Sequence, residues 1–449
     1  MTSPNVFLRL SITISTLILV FFTSSSHARD YYVSTIGYNN NSGYIDSPFR
    51  TISKAASLAR AGDNVIIRGG TYWERVIVRN SGSSGRHITF KPYSNETVTI
   101  DGSGTYVPYW GGLFDFSNRN YIRVDKLNVV NSNSKGLFGQ FTDNIIVSNC
   151  YTKNTVSSGI GVHFGSNLKI TGNEVVYANT TGDQENISVE SMVNFEISNN
   201  HVHHGGTSSQ GGEGIDAKGD SHHGKIFGNR VHHINREGIY VDSFDGYLTD
   251  VEIYNNVVYS NHISGIQVGN EAGGYIEDIS IYNNVVYDNQ WAGINLWGGG
   301  HSGKSHGMGK IYITGNTVAK NGWTPWGLGI ASDNKEAHNV LIINNILSKN
   351  TGMQIRLDPA VSKGNYNIQY NLVDNSNRAF KLQGSGDTLG DNVVNASPEF
   401  VDIYNNDFRL KGNSPAIGKG HYAPSLPNFD IKNKQRTGYS GIAMGAYQP

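Results

Sequence analysis

Residues 213–270 read EGIDAKGDSHHGKIFGNRVHHINREGIYVDSFDGYLTDVEIYNNVVYSNHISGIQVGN. The phrase Gly-Ile-x-apolar returns three times, and between its occurrences lie an apolar pair, an asparagine and a short apolar strand. Working outward, the same strand reads GIGVHF at 159–164, ISVESM at 187–192, GINLWG at 293–298, GIASDN at 329–334 and QIRLDP at 354–359. An asparagine recurs at Asn149, Asn173, Asn200, Asn229, Asn256, Asn284, Asn316 and Asn345, at spacings of 24 to 32 residues. A unit this short cannot bury its own apolar face and must stack on its neighbours. The expected fold class is all-β, a right-handed parallel β-helix with an N-terminal capping helix.

An asparagine at one bend of every coil can hydrogen-bond to its copy in the next, about 4.8 Å away, so the series is expected to be structural. Strand side chains have period two. With Ile and the next apolar residue in the core, the outer face carries three columns. One holds Ser188, Asp216, Tyr240, Gln267 and Asn295; its neighbour holds His163, Glu190, Lys218, Asp242 and Trp297; the third, at the strand entrance, holds Glu185, Glu213 and Glu237.

Composition agrees with a turn-rich β protein: 54 glycines against 11 prolines, 11% aromatic and only 16% charged residues. A formal charge of −1 without a basic stripe argues against nucleic acid and against an anionic membrane surface as partners. The one cysteine, Cys150, cannot form an internal disulfide and reads as core. Residues 1–28 read as a signal peptide, with Arg9, an apolar run Ile12 to Phe22 and the small-x-small site Ser26-His27-Ala28. A secreted, extracellular chain is expected, periplasmic in a Gram-negative source, and monomeric. Residues 29–120 are expected to form the cap and first coils, with a helix near Phe49 to Ala61; 121–390 the central coils; 391–449 a last coil and a tail closing the far end of the same domain.

The opening strand and cap, DNVIIRGGTYWERVIVRNSGSSGRHITFKPY, and the closing SPEFVDIYNNDFRL, NSPAIGKG and IAMGAYQP look like the ends of secreted β-helix polysaccharide lyases. Within that group the chain resembles family 9 pectate lyases. Glu213-Gly214-Ile215-Asp216-Ala217-Lys218 is similar to the first of that family's calcium-binding coils, and Glu237 to Asp242 partly to the second. The resemblance implies a polysaccharide substrate, Ca²⁺ and a lysine base. The sequence departs from the pattern at Arg236, where an acid doublet would begin, and at Gln267, where the lysine would stand.

Carboxylates stacked about 5 Å apart repel by on the order of 1 kcal/mol per pair, so the acid columns require a compensating cation, proton or base. Lys218 and Arg236 are internal candidates, and Ca²⁺ held by Glu213, Glu237 and Asp242 is the external one. Asp216, Lys218, Arg236, Glu237, Tyr240 and Asp242 are the candidates for chemistry; Glu190, His222, His223, Gln267, Asn295 and Trp297 for substrate binding. A lyase acting on an acidic polysaccharide would use Lys218 or Tyr240 as base and Arg236 or the metal at the carboxylate. A glycoside hydrolase would use two of Asp216, Glu237 and Asp242. A glycan-binding β-helix or an epimerase fits the same scaffold. Trp291, Trp297, Trp323, Trp326 and Tyr240 could stack on sugars. His203, His204, His232 and His233 read as a structural stack, with no compact tetrahedral ligand set evident, while His222 and His223 are placed in a long turn beside Lys218. The sequon asparagine Asn186 falls in the expected groove.

Overall fold

The computed structural model describes residues 28–449 apart from 182, 207–210, 300–306, 324–326, 359–364, 375–378, 382–386, 424 and 437–440. Residues 1–27 of the proposed signal peptide and Trp326 therefore lie outside the described residues. A coil such as that from residue 239 contributes three strands, Ile239–Asp242, Tyr247–Tyr254 and Val257–Tyr259, while in the coils at 135–203 the first two run on as one, as in Ile187–Ser198. Every central strand pairs in parallel with its counterpart one coil on, Ile187↔Ile215↔Ile239↔Ile266↔Ile294. The third strands make one sheet of 13 in chain order, and the first and second strands run together in a sheet of 23. The inward Ile and Val of each coil form one continuous core. Among the described residues no helix is long and apolar enough to cross a membrane.

The asparagine series occupies the bend between the second and third strands. Asn229 takes the carbonyl of Ile197 at 2.8 Å and the Oδ1 of Asn256 at 3.0 Å, and Asn256 repeats this with Ile226 and Asn284. The ladder runs from Asn173 through Asn371 to Asn392, two residues groups beyond the predicted end. Asn149 is not in it. The bend needs a left-handed residue just before the ladder position, and Asn149 fills that slot at φ 55°, like Asn199 and Asn255. Buried Cys150 stands where the ladder asparagine would be and donates its N–H to Asn173 Oδ1 at 2.9 Å. A second ladder, Asn261, Asn289, Asn321 and Asn350, lines the bend before the next coil.

The capping helix is Ile52–Leu58, shorter than expected at both ends. Thr51 caps it by accepting from Lys54 N, Glu74 accepts from the N–H groups of Ile52 and Ser53, and Ala59 leaves the helical region at ψ 140°. The C-terminal tail runs along the coils. It folds back along the flank: Phe408, Ala416 and Met444 pack on Val285, Ala319 and Ile346, and buried Arg436 donates to Asn283 Oδ1 and to the Gly445 carbonyl, both at 2.8 Å.

Asn256→Ala leaves buried amide groups of Asn229 without their acceptor and is expected to destabilise the chain by about 2 kcal/mol or more. Asn149→Gly keeps the left-handed bend and is expected to stay within about 0.5 kcal/mol of the parent. Guanidinium denaturation of both variants checks the assignment.

Candidate functional site

The strands Ile187–Ser198, Ile215–Lys218, Ile239–Asp242, Ser264–Gly269 and Ala292–Trp297 carry the columns in the predicted register. Ser188, Asp216, Tyr240, Gln267 and Asn295 are successive partners, as are His163, Glu190, Lys218 and Asp242; Gly269 then intervenes before Trp297. What differs is exposure. These side chains point away from the core yet are mostly buried, with Asp216, Glu237, Tyr240 and Asp242 at 2–3%. The expected open solvent face is covered. Tyr109 reaches over from an earlier segment, its hydroxyl donating to Asp183 at 2.6 Å, and Glu271 accepts from the Tyr240 hydroxyl at 3.3 Å.

Buried charge demands partners, and the site supplies them in pairs. Lys218 Nζ donates to Glu185 at 2.7 Å. The Arg236 guanidinium sits between Glu213 at 3.3 Å and Glu237 at 3.4 Å, filling the gap between two carboxylates of adjacent coils. Gln267 donates to the other Glu237 oxygen at 3.0 Å and accepts from Asn295 at 2.8 Å. Gln267 and Asn295 therefore hold Glu237 in place rather than face solvent. Asp216 Oδ1 and Glu185 Oε2 are buried with no hydrogen-bond partner in the structure. His163 Nδ1 lies 3.4 Å from Glu190, and Nε2 3.2 Å from the Ser188 hydroxyl; burial pushes this imidazole well below its usual range, so it is neutral there.

Burial, reinforced by neighbouring acids, pushes the Asp242 carboxyl up to about 8 and Asp216 well above the carboxylate range. Glu213, Glu237 and Glu190 move the same way, again led by burial. Burial acts to lower Lys218, but Glu185 and Asp216 outweigh it and hold the ammonium above its ordinary value. Burial also drives the Tyr240 phenol well above its usual value. Neither residue expected to serve as base is poised for it.

Two groups escaped sequence reading. Lys135 heads the Glu185–Glu213–Glu237 column two coils upstream; it is fully buried, donates to the Tyr109 carbonyl at 2.9 Å and is pushed by burial down to about 8. Extending that column backward by coil spacing would have found it. Glu271 lies in a connecting segment with no periodic signal. Other expectations are not met. His222 and His223 belong to the strand His222–Phe227 on the neighbouring face, where His223 pairs with Asp250 at 2.5 Å beside Lys225; the long turn is only residues 219–221. Trp323 packs on His262 and donates to the Asp288 carbonyl, Trp291 packs against the small cluster of Ala292 and Leu328, and half-buried Trp297 alone of these tryptophans stands in the columns. Asn186 is buried and donates to the Gly212 and Glu213 carbonyls, leaving no room for a glycan in the folded chain.

Glu213, Glu237 and Asp242 do not fit a calcium ion. Arg236 occupies the position between the two glutamates, and among the described residues no three acidic side chains bring ligand atoms within 4.8 Å of one another.

Fold and columns together define a parallel β-helix with a charge-compensated carboxylate cluster on one face. Residues 31–295 match the family described as Pel9A-like, right handed beta helix region, and the chain belongs to that family. It is 36% identical over 130 residues to the uncharacterized protein YwoF of Bacillus subtilis (strain 168), covering 27% of this chain and 28% of that one. It is 26% identical over 170 residues to pectate lyase PEL9 of Emericella nidulans, covering 35% of this chain and 40% of that one. The matches thus span less than half of either relative. The structure of XylC in complex with xylose superposes with a TM-score of 0.64 at 13% identity, over 93% of this chain and 98% of that one, a likeness of fold.

Asp242 binds its proton more tightly when folded than in the unfolded chain, where it titrates near 3.8. Its contribution to stability is full below that range and is lost as pH rises through about 8. Asp242→Asn is therefore expected to gain stability over the parent as pH climbs from about 4 to 8, by at most about 1.4 kcal/mol per pH unit. Thermal midpoints of both proteins across that range check it; equal slopes would place the proton elsewhere.

Proposed function

We propose that this chain cleaves an acidic, uronate-containing polysaccharide by β-elimination, outside the cell where such polymers lie. The observation that carries the reading is Arg236, whose guanidinium is anchored by two buried glutamates while 30% of its side chain stays exposed. A planar fork held this way can meet a substrate carboxylate with two parallel hydrogen bonds. Because burial moves Glu213, Asp216 and Asp242 toward protonation, Arg236 and Lys218 weigh heavily in the field that a polyanion meets. Family membership and the relative named a pectate lyase support the same substrate class.

In the reaction a base takes the proton from the carbon bearing the carboxylate. The electron pair left behind forms the ring double bond, and the bond to the next sugar breaks with its pair on the departing oxygen, which is then protonated. Asp216 suits the base in its ionised form, which the Lys218 ammonium favours against burial: its Oδ1 has no hydrogen-bond partner, and a raised pKa makes that carboxylate a stronger acceptor. Asp242, still protonated near neutral pH, suits the donor to the leaving oxygen. Arg236 offsets the charge that develops on the carboxylate, and Lys218, tied to Glu185, adds a fixed positive charge beside it. No step passes through calcium.

A second reading, glycoside hydrolysis, is favoured by the same protonated Asp242, which would serve a hydrolase as general acid. Incubation with pectate, alginate, glucuronan and neutral xylan, with Ca²⁺ or with chelator, separates the two. Unsaturated-product absorbance and reducing ends are expected to rise together on a uronate polymer, with chelator having no effect. Arg236→Met is expected to lower kcat/KM by about 100-fold or more. Reducing ends without absorbance would establish the hydrolase, and silence in both assays would overturn cleavage.

A further inference from the structure

On the 13-stranded sheet, away from the carboxylate cluster, the third strands of two adjacent coils read His201–His203 and Arg230–His232. Val202 and Val231 point into the core, so period two sends His201, His203 and His232 outward together. His203 and His232 are register partners with rings stacked at 5.1 Å. His201 leans across, placing its Nε2 2.8 Å from the Nε2 of His232. One ring nitrogen from each of the three lies within 4.8 Å of the others, the one such group of histidine, cysteine or acidic side chains among the described residues. The compact set that sequence spacing did not reveal is formed because His201 has a diagonal partner, not a register partner.

We propose that His201, His203 and His232 form a binding site for a divalent transition-metal ion, with zinc the ion that best suits three imidazoles. Zinc takes imidazole nitrogens at about 2.0–2.1 Å, which places tetrahedral ligand atoms roughly 3.4 Å apart. The three nitrogens lie within 4.8 Å of one another, with one pair at 2.8 Å, and so bracket that spacing. The rings are held from behind: the Nδ1 atoms of His203 and His232 meet those of His204 and His233, each at 2.7 Å, while Glu174 Oε1 lies 3.2 Å from His203 Nε2, placed to join as an oxygen ligand. The nearest fixed cation, Arg230, is drawn aside onto the Tyr259 hydroxyl at 3.0 Å. Three protein ligands leave a fourth position for water or for Glu174.

Ring stacking alone is the competing account, since the same column continues as Tyr259 and Tyr287 with rings at 4.9 Å. That column also supplies the control. His232→Tyr keeps an aromatic ring in the stack and removes a ligand; His201→Val copies the residue that the coil after next carries at that position. The full chain is stripped with chelator, dialysed and titrated with Zn²⁺ or Co²⁺, with metal content measured after desalting. One ion per chain, a visible Co²⁺ spectrum of the tetrahedral or five-coordinate kind, and affinity at least about tenfold weaker in either variant are expected. Failure of the parent to retain metal, or unchanged affinity in a variant whose circular dichroism shows it folded, would overturn the site. Neither result depends on polysaccharide cleavage.

Discussion

A parallel coil must turn inside its own core, and a buried turn leaves backbone amides that water cannot reach. The asparagine ladder answers that constraint. Each side chain takes a carbonyl from the previous coil and presents its Oδ1 to the backbone and side-chain amides of the one before, so a bend is satisfied only when the next bend sits directly upon it. Stacking is thereby fixed in register, and everything placed on the outer faces inherits the fixed spacing.

Register turns sequence into columns, and columns put like beside like. On one face this yields aromatic stacks such as Phe227, Tyr254 and Tyr282, with centroids 4.8 Å apart. On another it yields carboxylates, which the same spacing makes unfavourable. The structure resolves the conflict by interleaving cations: Lys218 against Glu185, Arg236 between Glu213 and Glu237. At Asp242 the neighbouring Lys218 does not offset burial and Glu271, and the proton is favoured. A paired arrangement of acids and cations follows from the ladder's geometry.

The repeat made the fold legible, because period and alternation are properties of the chain itself. It also gave the column memberships of Asp216, Tyr240, Lys218 and Asp242. It did not give burial, nor the contacts of Tyr109 with Asp183 and of Glu271 with Tyr240, which come from connections that carry no period. Nor did it give diagonal contacts: His201 meets His232 rather than its register partner Arg230, and only side-chain direction decides that. Asn149 shows the converse: the bend uses asparagine at two positions, and the recurrence of the residue type alone does not separate the ladder slot from the left-handed slot before it.

The returning tail changes how the solenoid comes apart. In a simple stack each coil touches only its neighbours, so the last coils can peel off one by one like cards from a deck. Here Arg436 is buried against Asn283, 153 residues earlier, while Asn344 donates to the His421 carbonyl and Thr317 accepts from Ala446 N. The strap binds the edges of several cards at once. Terminal coils can leave only after the strap lifts, which joins loosening of the end to loosening of the coil at Asn283 and makes the C-terminal third a single mechanical unit.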